Sequence, residues 1–90
     1  MVCGCLIANW QAVSAVASRL GVVTSGRIGG AVVRSRARRL LRESFRLHQH
    51  ELARAVDLVL VARPSIAGRK LADVERDLLR VLRQARIGGP

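Results

Sequence analysis

Tyrosine is absent from this 90-residue chain, and Trp10 and Phe45 are its only aromatic residues. A surface that stacks one base after another needs aromatic platforms. That mode is therefore excluded, and any nucleic-acid contact falls mainly on phosphate and sugar. Acids are also scarce. Glu43, Glu51, Asp57, Asp73, Glu75 and Asp77 are all there are, and their spacing forms no acid–base pair, so no catalytic residue is assigned. No uncharged apolar run is long enough to span a bilayer. Met1–Ser18 carry no charge, and Ala15-Val16-Ala17 imitates a cleavage site. A positive leading region is missing, however, and Asn9-Trp10-Gln11 breaks the apolar run, which argues against a secretory signal.

The cysteines are only two, Cys3 and Cys5. In a strand they lie too close for an ordinary structural disulfide, and they read as small buried residues in a reducing cytoplasm. Pooled with His48 and His50 they match no zinc spacing, so no metal site is assigned. The histidines read instead as favourable charges near the negative end of a helix.

Arginine is what the chain has in excess. Lys70 is the only lysine among 16 cationic residues, and the formal net charge is +10. Such a charge points to a polyanionic partner. An arginine fork matches two phosphate oxygens. The cations concentrate in Ala31–Leu47, AVVRSRARRLLRESFRL. At roughly 100° per residue, Arg34, Arg38, Arg42 and Arg46 form one helical ridge, with Arg39 inside that face and Arg36 at its edge. Val33, Ala37, Leu40, Ser44 and Leu47 fall opposite, with Leu41 and Phe45 at the border. Glu43 is the only acid available to neutralise the ridge, through Arg39 or Arg46. A mutually repelling face of this kind calls for an anionic partner, and nucleic acid fits best.

Around this helix the pattern predicts an α+β fold. Val2–Ala8 and Leu20–Ser25 read as strands forming an antiparallel pair, with Gln11–Ser18 as the loop between them. Gly26–Gly30, GRIGG, is a glycine-rich turn into a helix expected over Ala31–Leu52. Asp57–Ala62 is continuously apolar after its first residue and predicts a central strand covered on both faces. A β-α-β unit results. Leu71–Ile87 predicts a second amphipathic helix packed on the sheet, with acids at its start and arginines at its end suiting the macrodipole, and Gly88-Gly89-Pro90 stopping it. Residues 1–90 are expected to form a single nucleic-acid-binding domain.

The run Arg34-Ser35-Arg36-Ala37-Arg38-Arg39-Leu40-Leu41-Arg42-Glu43-Ser44-Phe45-Arg46 resembles the signature of the bacterial ribonuclease P protein family. Leu20–Ser25, Gly29–Val33, Asp57–Arg63 and the Leu71–Ile87 helix resemble its flanking elements. The resemblance implies a small mixed β-sheet with a long basic helix and a C-terminal helix, a fold shared with the second domain of a small-subunit ribosomal protein. It also implies a subunit that binds a catalytic RNA and precursor tRNA, with Mg²⁺ in the holoenzyme and the RNA performing 5′-leader hydrolysis. The RNA-binding residues it implies are Arg27, Arg34, Ser35, Arg36, Arg38, Arg39, Arg42 and Arg46. It further implies a cytoplasmic protein with no membrane contact and no obligate protein partner. Ser35 stands where the family usually has asparagine, Arg38 where lysine is usual, and Gly26 where a cation is common. The family usually begins with a helix and a strand ahead of the counterpart of Val2–Ala8. The chain is therefore expected to be shortened, with Met1 either a misassigned start or the start of a protein with weakened leader binding; the uncovered sheet favours the first.

Three rivals are open to test. Gly26-Arg27-Ile28-Gly29 spells the GXXG loop of a KH domain, which joins two helices, and a ribosomal protein would share the charge. A membrane-surface helix would need bulky apolar anchors exposed. A protein-only nuclease would need a catalytic cluster.

Overall fold

A computed structural model describes residues 1–14 and 17–88. Ala15 and Val16 of the expected loop, and Gly89 and Pro90 of the expected helix stop, lie outside the described residues. The sheet is built on Val56–Ala62, numbered β4 because β1 (Val2–Cys3), β2 (Leu6–Ala12) and β3 (Arg19–Val23) precede it. The strand order is β1-β2-β4-β3. β3 lies parallel to β4 and is joined to it through α1 (Ala31–His48), which makes the β-α-β unit that the apolar periods predict. β2 pairs antiparallel with β4, from Leu6 opposite Ala62 to Ala12 opposite Val56.

That pairing corrects the expected one. The first long strand joins β4 rather than β3, because β4 offers it a seven-residue edge that is apolar but for Asp57. The expected strand Val2–Ala8 is also broken. Gly4, at φ +57°, turns the chain so that β1 folds back on β2, with Val2 opposite Ile7. β2 then runs on through Ala12, using residues expected to form a loop.

The helices α1 and α2 (Leu71–Gln84) pack against each other and on one side of the sheet. Leu6, Ala8, Val56, Leu58 and Leu60 from the strands meet Ala37 and Leu41 from α1 and Val74, Leu78 and Val81 from α2. The other side carries the alternate residues. Its first row, Val2–Ile7–Val61–Val23, crosses all four strands. Val59 on that side is 37% exposed, so β4 is central but covered on one face only, contrary to its unbroken hydropathy.

Both helices end earlier than their periodicity suggests. α1 stops at His48, where the backbone tightens into a 3-10 turn over Gln49–Glu51 and delivers Leu52 to a bridge with Gly88. In α2, Arg86 adopts φ +58°, and the amides of Ile87 and Gly88 both return to the Leu82 carbonyl. This turn buries Ile87 and closes the helix.

Candidate nucleic-acid interface

On α1 the buried stripe is Ala37, Leu41, Ser44 and Phe45. Leu41 is fully buried and Phe45 is 9% exposed, so the two residues expected at the border lie inside. Leu40 and Leu47, expected opposite the ridge, are only half-buried. The difference follows from helix geometry. Four residues span about 400°, so an i,i+4 ridge drifts by about 40° per step. Arg34 therefore begins near the core side, whereas Arg42 and Arg46 face solvent.

The eight expected contact residues separate accordingly. Arg34 is half-buried, and its Nε is buried with no acceptor among the described residues. Arg38 is tethered, with Nη1 donating to Thr24 Oγ1 at 2.9 Å and Nη2 to Ser35 Oγ at 3.2 Å. Ser35 thus holds its neighbour's fork in place. Arg36 donates from Nη2 to the Arg69 carbonyl at 2.6 Å. Arg46 is taken by Glu43, which has no bond to Arg39. That hydrogen bond holds the Glu43 carboxyl below its ordinary range. Arg39 and Arg42 are exposed, and no carboxylate pairs with them among the described residues. Arg27 is exposed on the short 3-10 turn Gly26–Ile28, where its amide donates to Ser25 Oγ at 3.3 Å.

The loop before α1 is shaped chiefly by packing. Gly29 sits at φ +140°, and a Cβ there would come within 2.9 Å of Val33 Cβ, so glycine is needed for a close helix approach. The loop also joins a strand to a helix, which removes the KH reading. Arg69, beside Arg36, was not expected at the site. The basic Arg69-Lys70 pair following Gly68 is the signal for it in the sequence.

All six acids are engaged, five of them away from the α1 arginines. Asp57 pairs with Arg19, Glu43 with Arg46, and Asp73 with Arg76. Asp77 is 6% exposed and accepts from the Cys5 amide. Glu51 and Glu75 flank His48, one at each ring nitrogen. An ionised carboxylate only accepts, so one at each ring nitrogen favours the doubly donating, charged form of the ring. Burial opposes that charge, but the two hydrogen bonds outweigh it and hold the His48 pKa above its ordinary value. Of the α1 arginines only Arg46 is consequently paired with a carboxylate among the described residues.

No three His, Cys, Asp or Glu side chains gather into a cation site among the described residues. Cys3 and Cys5 are both buried and unpaired. Burial and the Asp77 hydrogen bond push the Cys5 thiol up to about 12, which removes it as a nucleophile. Among the described residues no helix is long and apolar enough to cross a membrane. The apolar stripe of α1 lies in the core, so it offers no face to a membrane surface.

The family profile described as Ribonuclease P matches residues 4–86. The ribonuclease P protein component of Brevibacillus brevis is 38% identical over 71 residues, covering 79% of this chain and 56% of that protein. That of Clostridium botulinum strain Langeland is 41% identical over 71 residues, covering 78% and 64%. That of Gluconacetobacter diazotrophicus is 42% identical over 73 residues, covering 80% and 63%. The chain thus spans between about half and two thirds of the length of these relatives. Among solved structures, the RNase P protein of Staphylococcus aureus superposes with a TM-score of 0.83 at 23% identity, over 99% of this chain and 82% of that one. The Thermotoga maritima RNase P protein gives 0.83 at 23%, over 93% and 80%. At these identities the structural likeness speaks for the fold.

Proposed function

Since the chain belongs to the ribonuclease P protein family, we propose that it acts as the protein subunit of a ribonuclease P ribonucleoprotein, the endonuclease of tRNA processing. In this role it binds the catalytic RNA and precursor tRNA in the cytoplasm and assists removal of the 5′ leader. The observation that carries the proposal is the family signature on α1, displayed as an arginine face that none of the six engaged acids neutralises beyond Arg46.

Each arginine has a distinct part in this reading. Arg39 and Arg42 present free forks to phosphate oxygens. Arg36 and Arg38 are held in place by the Arg69 carbonyl and by Thr24 and Ser35, so less side-chain entropy is lost when RNA binds. At Arg34 an unmet, desolvated donor favours a strong anionic acceptor. Arg27 extends the face beyond the helix start.

Hydrolysis belongs to the RNA in this proposal. The carboxylates of the chain do not suit a protein-held Mg²⁺, since each is engaged and no three ligand side chains converge among the described residues. Mg²⁺ bound in the holoenzyme would supply the Lewis acidity for that hydrolysis, and no residue of this chain is assigned to hold it. The protein residues position the polyanion and lower the repulsion between its strands.

Reconstitution tests this. The purified protein is mixed with a bacterial ribonuclease P RNA and precursor tRNA, at Mg²⁺ too low for the RNA alone. Restored 5′-leader removal is expected. Absence of both cleavage and selective RNA binding would overturn the proposal.

A further inference from the structure

The arginines of α2 look self-balanced in sequence, with Asp73, Glu75 and Asp77 ahead of Arg80, Arg83 and Arg86. Folding undoes that balance. Asp77 turns inward to the Cys5 amide. Glu75 turns to His48, whose Nε2 lies 2.9 Å from it. Only Asp73 stays with an arginine, Arg76, at 3.4 Å. Arg80 and Arg83 are exposed with no carboxylate partner among the described residues. The outer face of α2 therefore carries two unpaired cations, Arg80 and Arg83, although the helix is neutral by composition.

These side chains also border a depression. A shallow groove of roughly 360 Å³ lies between the end of α1 and α2, lined by His48, Glu75, Arg76, Leu79, Arg80 and Arg83. Arg76, Arg80 and Arg83 follow at i, i+4 and i+7, so they stand in one row about 10 Å long. Leu79 gives the groove a half-buried apolar floor. The Glu75 carboxylate within it is hydrogen-bonded to His48, which also serves Glu51, so the positive charge of the groove comes from its arginines. The two helices pack directly against each other, and both carry exposed arginines. The groove meets α1 at His48, at the helix's C-terminal end.

We propose that this groove is a second site for an RNA backbone, in which Arg76, Arg80 and Arg83 hold phosphates of a strand adjoining the one on α1. The inference rests on the reading of the chain as an RNA-binding subunit. It extends the interface from α1 to the outer face of α2. Charge complementarity selects the occupant. The unpaired forks of Arg80 and Arg83, with Arg76 beside them shared with Asp73, suit neighbouring phosphates, and a small apolar floor suits the face of a sugar.

The test is equilibrium binding of the full protein to a bacterial ribonuclease P RNA across a salt series. Arg80→Gln/Arg83→Gln is compared with Arg39→Gln/Arg42→Gln and with Arg80→Lys/Arg83→Lys. All four positions are exposed, and circular dichroism with thermal melting checks each fold. The α2 glutamine pair is expected to weaken binding about tenfold and to flatten the log–log salt slope by about 1.4–1.8, with the lysine pair keeping the slope. An unchanged slope for the α2 pair, beside a flattened one for the α1 pair, would overturn the second site and leave the family reading intact. Unchanged slopes for both pairs would overturn the RNA-binding reading, and the second site with it.

Discussion

The Cys5 amide donates to Asp77 Oδ2 across 3.0 Å and so ties the turn between β1 and β2 to the middle of α2. Gly4 makes the approach possible, because a Cβ at that position would lie 2.2 Å from the same oxygen.

Gly4→Ala is therefore expected to destabilise the fold twice over. The left-handed backbone costs about 1–2 kcal/mol and the clash about 1–3 kcal/mol more. Asp77→Ala leaves a buried amide unpaired, at about 1–3 kcal/mol. In the double variant the truncated side chain vacates the space, so the combined loss should fall short of the sum. Urea unfolding of the four proteins measures this, and strict additivity would break the proposed link.

His48 should make stability depend on pH. Its pKa is raised in the folded state, so its contribution is fully present below the ordinary value of 6.5 and fades as pH rises through the folded value. The facing groups are Glu51 and Glu75, with Arg76, Arg80 and Arg83 around the groove. His48→Gln should remove about 1 kcal/mol near pH 6 and change little near pH 9. Melting temperatures across that range check it; equal losses at both ends would contradict it.

Gly26 has open space around its would-be Cβ and no left-handed backbone. Gly26→Arg should be tolerated within about 0.5 kcal/mol. It also places a cation next to Arg27, so the salt slope of RNA binding should steepen by about 0.7–0.9. Filter binding against the unaltered chain reads the difference.

Arg86 holds a left-handed conformation without being glycine, and it is exposed. Arg86→Gly should stabilise the protein by about 0.5–1 kcal/mol, or about 3–6 °C in melting temperature. Loss of a cation at the helix end trims the gain. A lower melting temperature would mean that the guanidinium contributes more than the backbone relief.

Much of the architecture was legible because its signals are local. The run Asp57–Ala62 and the two helical periods led to β4, α1 and α2, and a strand on either side of α1 led to the parallel pair. The partner of the first strand was not legible, since β2 could satisfy its hydrogen bonds on either neighbour and only the assembled sheet decides. The continuation of β2 was available in Ala8-Asn9-Trp10-Gln11. Its alternation puts Ala8 and Trp10 on the helix side, aligned with Leu60 and Leu58, and Asn9 and Gln11 on the other.

At the interface the arginine run named the face, but its partition came from tertiary contacts. Thr24 and the Arg69 carbonyl reach Arg38 and Arg36 from segments 14 and 33 residues away. Asp77 looked like one of three solvent acids. Its position between Val74 and Val81 on the apolar side of α2 was the cue that it turns inward.

The place of β4 in the sheet carries a consequence for how the chain assembles. It is the last strand in sequence, yet it lies between β2 and β3. During synthesis, β1 and β2 can close as a hairpin, but β3 has nothing to pair with until Val56–Ala62 has emerged. Until then the arginine helix has no completed surface on which to lay Leu41 and Phe45. Formation of the sheet and seating of the helix thus coincide in one late event, and a nascent chain halted before β4 would display the cations without the scaffold that orients them.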